Sequence, residues 1–151
     1  MTLTQSAKKF ILTLGLCLFA LTPALALDYV SIKGSVVNMR AGPGIKSQAL
    51  WQLDRGYPLQ VLKRRGSWLQ VRDVENDRGW VARSMTGNTP HYVVKAKIAN
   101  LRKGPGMKHS IIGKAEHLEV LRTRGKKAGW IHVERTDGQT GWMSKKLLWG
   151  W

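Results

Sequence analysis

Asn38-Met39-Arg40-Ala41-Gly42-Pro43-Gly44-Ile45-Lys46 recurs 62 residues later as Asn100-Leu101-Arg102-Lys103-Gly104-Pro105-Gly106-Met107-Lys108. Six of the nine positions are identical and two more are apolar in both copies. Repetition at a fixed offset marks one folding unit used twice. The register continues outward: Trp68 matches Trp130, Val71 matches Val133, and Gly79-Trp80 matches Gly141-Trp142. Between these anchors the copies are expected to differ by two compensating length changes. Gly56-Tyr57-Pro58 lacks a counterpart before Leu118, and Lys126-Lys127-Ala128 is extra before Gly129-Trp130. Both fall where turns are predicted. Ser84 to Pro90, with Gly87, Asn88 and Pro90, reads as the linker, giving one unit over 27–86 and a second over 87–151.

Each copy reads as all β. Leu59 and Val61, then Leu69 and Val71, alternate with Gln60 and Gln70, and the second copy is expected to repeat this through Leu118, Val120, Ile131 and Val133. Gly-Pro-Gly after Arg40 and after Arg102 forces a reversal, since glycine tolerates positive φ and proline fixes its own. About five short strands in roughly 60 residues make too small a flat layer, so each copy should close into a partly open barrel.

The first 26 residues stand apart. Lys8 and Lys9 precede an apolar stretch from Phe10 to Leu21, followed by Pro23 and Ala24-Leu25-Ala26, the layout of a secretory signal cleaved after Ala26. As a helix, that stretch would be about 18 Å long, short of the ~30 Å hydrocarbon layer, which argues against a transmembrane anchor. The sole cysteine, Cys17, follows Leu16 and not a small residue, which argues against lipidation. One cysteine excludes a disulfide framework and a cysteine-rich zinc site. The chain carries 25 Lys+Arg against 9 Asp+Glu, a formal charge of +16 over 151 residues. Loss of Lys8 and Lys9 with the signal leaves +14, so the exported product is itself basic and suited to anionic partners.

The motif order resembles the bacterial Src-homology-3 domain (SH3b), in tandem. It runs Asn-x-Arg-x-Gly-Pro-Gly, hydrophobic strands, Trp-x-x-Val, and a final Gly-Trp followed by Val or Met, over Tyr29–Met85 and again over Tyr92–Leu148. The resemblance implies two small β-barrels and recognition of peptidoglycan or another cell-envelope ligand, and the signal implies a periplasmic or secreted location; no catalysis is expected. The alternatives are a basic binder of lipopolysaccharide or nucleic acid, and a scaffold that engages a cell-wall hydrolase. Export argues against intracellular nucleic acid. The resemblance also places Trp68 and Trp130 where the family has an aromatic lining its ligand groove.

The residues support the same reading. No Gly-x-Ser-x-Gly elbow or His-Glu-x-x-His helix is present, and cleavage would remove the only cysteine, so no catalytic residue is expected. His117 with Glu119 and His132 with Glu134 could be imagined around a metal, but none of the histidines has a histidine counterpart in the first copy, so neither metal nor cofactor is expected. Period-2 alternation turns Trp68 and Trp130 outward if Leu69, Val71, Ile131 and Val133 point in; with the resemblance this makes them the leading ligand-binding candidates, the alternative being that each ring covers the open end of its barrel. Trp80 and Trp142, on a closing strand, are expected to complete the core and are secondary candidates. Trp51, Trp149 and Trp151 have no tryptophan counterparts and are assigned to contact between the units. Arg40 and Arg102 could hold a carboxylate, although bracing the adjacent turn is the favoured role. Lys63, Arg64 and Arg65, and Arg124, Lys126 and Lys127, form basic hairpin tips suited to a polyanion.

Overall fold

A computed structural model describes residues 27–151; the expected signal over 1–26, its cleavage point and Cys17 lie outside the described residues. Strands β1 (Tyr29–Ile32), β2 (Val36–Arg40), β3 (Ala49–Asp54), β4 (Pro58–Arg65), β5 (Trp68–Arg72), β6 (Arg78–Ala82) and β7 (Thr86–Gly87) form one antiparallel sheet in the order β3-β2-β6-β5-β4-β1-β7. Strands β8 (His91–Val94), β9 (Ile98–Arg102), β10 (Ile111–Glu116), β11 (Val120–Lys127), β12 (Trp130–Glu134), β13 (Thr140–Ser144) and β14 (Leu148–Gly150) repeat it as β10-β9-β13-β12-β11-β8-β14. Apart from one 3-10 turn in each copy, Arg83–Met85 and Lys145–Leu147, no helix occurs among the described residues. The fold is all-β in two units, as the sequence predicts, with seven strands in each where about five were expected. Only Asn88–Pro90 separate the last strand of the first sheet from β8.

Alternation builds each core. Leu69, Val71 and Val81 are fully buried, while Trp68, Gln70 and Trp80, their neighbours in sequence, are partly exposed. The second core uses Ile131, Val133 and Met143 in the same slots. Val37, Met39 and Leu53 of the first core become Ala99, Leu101 and Ala115, whereas Val30 and Val81 become Tyr92 and Met143. Losses of volume are thus offset by gains within one core, the kind of exchange that preserves a fold. Register shifts fall at matching places, at Leu50 and Ile112 and at Leu62 and Arg124, and such bulges bend the sheet.

The expected length changes are absent. Tyr29 pairs with Gln60 and His91 with Arg122, so the 62-residue offset holds throughout and sets Gly56 against Leu118 and Gly66 against Ala128. Gly56 and Gly66 have φ of +84° and +56°, and Leu118 and Ala128 adopt +65° and +46°. Two non-glycine residues in a conformation that favours glycine disguise the equivalence. Leu59 therefore corresponds to Leu121, not Leu118. The Gly-Pro-Gly turns also differ from expectation in mechanism. None of their glycines has positive φ. Gly42 and Gly104 are small because a Cβ would lie 2.8 Å from Ser47 Oγ and 2.6 Å from the His109 ring.

The units touch through residues that the repeat does not share. Trp151 Nε1 donates to Ser31 Oγ at 3.0 Å, and Trp149 meets Tyr29 edge-on with ring centroids 5.4 Å apart. Trp51 is more than half exposed and lines a cleft whose far wall includes Leu118 and Val120. Gly56 backs onto the second unit, where a Cβ would come within 2.9 Å of the His91 ring.

Candidate functional site

The β4–β5 hairpin closes through Gly66-Ser67 and the β11–β12 hairpin through Ala128-Gly129. Each tip is tied to the 3-10 turn, by Arg83 N–H donating to the Ser67 carbonyl at 2.8 Å and Lys145 N–H to the Gly129 carbonyl at 2.9 Å. Trp68 and Met85 line one groove of the first unit, whereas Leu147, the counterpart of Met85, packs against the second core. In the first unit Trp68, Ala82, Asn38, Arg40, Ile45 and Met85 line a groove of about 230 Å³, with Val36 at its rim.

The apolar exposure around this groove recurs in the second unit. Ile45 is 78% exposed and its counterpart Met107 73%; Val36 is 54% exposed and Ile98 52%. Scattered exposed apolar residues need no explanation, but a repeated cluster beside an outward tryptophan does. Ile45, Val36 and Met85, with Met107, Ile98 and Leu147, were missed by reasoning from the strands alone. Their signal lay in apolar residues at matching positions of both copies, at a strand start for Val36 and Ile98 and on turns for the others.

Arg40 Nη1 donates to the Ser47 carbonyl at 2.8 Å, and Arg102 Nη1 to the carbonyls of Met107 at 3.1 Å and His109 at 2.9 Å. Both guanidiniums brace the Gly-Pro-Gly turns that carry Ile45 and Met107. Arg40 also lines the groove floor.

Trp80 and Trp142 do not complete the cores. Each is half-buried on the outer face, where Trp80 pairs between Gln70 and Arg40 and Trp142 between His132 and Arg102. The Trp142 ring stacks on His132, with centroids 4.9 Å apart and planes 18° off parallel. Period-2 alternation decides the matter: Val81 and Met143 point in, so their tryptophan neighbours point out.

The basic tips are partly engaged. Arg64 pairs with Asp28 and Arg124 with Glu134, while Lys126 Nζ lies 5.5 Å from the Tyr92 ring centroid and 3.3 Å from the Trp151 carbonyl. Lys63, Arg65 and Lys127 make no side-chain hydrogen bond or ion pair among those of the described residues. His117 faces Glu75 at 3.4 Å, and Glu119 is held by Arg135 at 2.6 Å, so the imagined metal ligands are turned to other partners.

The family model of the bacterial SH3 domain matches residues 33–86 and 95–150. The chain belongs to the bacterial SH3 domain family. It is 26% identical over 123 residues to a Bacillus subtilis protein named "Putative N-acetylmuramoyl-L-alanine amidase YrvJ", covering 74% of this chain and 24% of that one. The chain therefore spans about a quarter of the length of the curated relative it matches. Among solved structures, NlpC2 of Trichomonas vaginalis is similar at 13% identity with a TM-score of 0.37, over 82% of this chain and 48% of that one. An NlpC/P60 family protein of Bacillus cereus is similar at 15% identity with a TM-score of 0.37, over 81% of this chain and 56% of that one.

Proposed function

We propose that the mature chain is an exported, non-enzymatic binding protein of the bacterial envelope whose two SH3 units hold peptidoglycan in the grooves at Trp68 and Trp130. The observation that carries this reading is the groove of the first unit, an outward tryptophan flanked by exposed apolar side chains; its tryptophan, its turn arginine and the exposed positions of Val36 and Ile45 recur in the second unit as Trp130, Arg102, Ile98 and Met107. The amidase name borne by the longer relative supports the choice of peptidoglycan. Flat aromatic rings suit the apolar faces of sugars and short peptide stems, while the turn arginines hold the groove walls in place. Sedimentation of the mature protein with purified peptidoglycan tests it, with DNA and lipopolysaccharide as controls. Binding to peptidoglycan that is lost on Trp68→Ala and Trp130→Ala is the expected result. Binding only to the controls would refute it.

A second reading, a polyanion binder, is favoured by Lys63, Arg65 and Lys127 at the hairpin tips. Raised salt separates the two, because phosphate-type contacts weaken steeply with ionic strength and groove contacts do not. A scaffold that delivers a cell-wall hydrolase is compatible with either surface.

A further inference from the structure

A separate cleft of about 350 Å³ opens between the two units, within the range of small-molecule sites. Lys33 and Arg55 reach it from the first unit, and His91 and Arg122 from the second. No carboxylate lines it. Lys33, Arg55 and Arg122 take part in none of the four ion pairs among the described residues. The acids are placed elsewhere: Asp54, Asp73, Glu75 and Asp77 line a different interunit cleft, beside Trp51. Docking the units therefore gathers like charges from both sides into one concavity; the carboxylate of Glu134 lines the adjoining cleft that shares Arg55, His91 and Arg122, and it is paired with Arg124. A concave wall of one sign focuses positive potential, and guanidinium forks match the oxygens of a phosphate. His91 adds a ring fixed in place, its Nδ1 2.9 Å from the Thr89 carbonyl and its edge packed on Gly56. Burial and, to a lesser degree, Arg122 hold that imidazole below its usual pKa. The permanent charge of the cleft thus comes from Lys33, Arg55 and Arg122.

We propose that this cleft binds a phosphate group, free or carried on a sugar, between Arg55 and Arg122 with Lys33 beside it. Three cations within one small concavity favour a compact, multiply charged anion, and the clustered oxygens of a single phosphate fit between two guanidinium forks better than the separated carboxylates of citrate. The site is distinct from the Trp68 and Trp130 grooves, so it stands or falls independently of peptidoglycan binding.

Calorimetric titration of the full exported protein at constant ionic strength tests the proposal, with inorganic phosphate and glucose 6-phosphate as probes and citrate as the carboxylate control. Saturable binding of at least one phosphate probe, tighter than citrate, is expected. Tighter glucose 6-phosphate would identify a sugar-borne phosphate as the ligand, and tighter inorganic phosphate the free ion. The Arg55→Gln, Arg122→Gln double variant should weaken the preferred probe by about tenfold or more, the scale of a lost charge-assisted contact. The Arg65→Gln, Lys127→Gln double variant removes the same charge from the hairpin tips and should change affinity by less than about twofold. Melting curves of both variants establish that they are folded, and Arg55→Lys with Arg122→Lys serves as the conservative pair if the Gln variant is not. No saturable phosphate binding, citrate binding as tightly, or equal losses from cleft and tip variants would overturn the proposal.

Discussion

Gly79 and Gly141, not the tryptophans that follow them, are the residues on which the closing strands depend. A Cβ at Gly79 would lie 2.5 Å from Met39 Cγ and 3.0 Å from the Arg40 carbonyl, and at Gly141 2.6 Å from Leu101 Cγ and 2.9 Å from the Arg102 carbonyl. Gly79→Ala or Gly141→Ala should therefore destabilise its own unit by about 1–3 kcal/mol, the cost of overpacking a filled core. Trp80→Ala and Trp142→Ala, on half-buried outer positions, should each cost less than the ~3–5 kcal/mol of a core aromatic. Thermal melts of the four variants check the order, and a larger loss at the tryptophans would contradict it. His91 gives a prediction in pH. Burial holds its folded pKa below the ordinary histidine value of 6.5, so the stabilisation is present above pH 6.5 and is lost as pH falls through the folded value. As pH falls below about 6.5, stability should decline more steeply in the native protein than in His91→Gln. Parallel profiles would show that His91 is not the group responsible.

At the scale of elements, much of the molecule was legible. Inward Leu69 and Val71 followed from period-2 alternation, and the turn-bracing role of Arg40 and Arg102 followed from their place beside Gly-Pro-Gly. What escaped has physical causes. Leu118 and Ala128 in left-handed conformation hid the constant offset, because sequence patterns assign such positions to glycine. The groove walls escaped because Ile45 and Met107 sit on turns, where an apolar residue carries no periodicity. The cleft escaped because Arg55 and Arg122 meet only when two separate units dock. That docking involves β14 and the residue after it. Trp149 and Trp151 reach Tyr29 and Ser31, so Trp149→Ala with Trp151→Ala should loosen the pair, with a smaller loss of stability in the second core, against which Trp151 packs. Faster proteolysis within Asn88–Pro90 and a larger radius of gyration in small-angle scattering are the expected results. An unchanged radius would place the docking energy elsewhere.

On the proposed reading the whole molecule joins two copies of one binding groove on a basic body. With two linked sites, the second binding event is intramolecular and the effective concentration set by the short Asn88–Pro90 connection raises avidity. Exposed tip cations steer encounter more than they hold a complex. Changing Lys63, Arg65 and Lys127 to Gln should thus slow association and reduce its salt dependence while leaving the dissociation rate within about twofold, as surface plasmon resonance on immobilised peptidoglycan would show. The central claim, that paired tryptophan grooves bind the wall, is tested most directly by equilibrium sedimentation on purified peptidoglycan. The native protein, Trp68→Ala, Trp130→Ala and the double variant would be compared at low and high salt. The account predicts partial loss in each single variant, a loss in the double greater than either alone, and little change with salt in the native protein. Full binding by the double variant, abolished instead by salt, would contradict it.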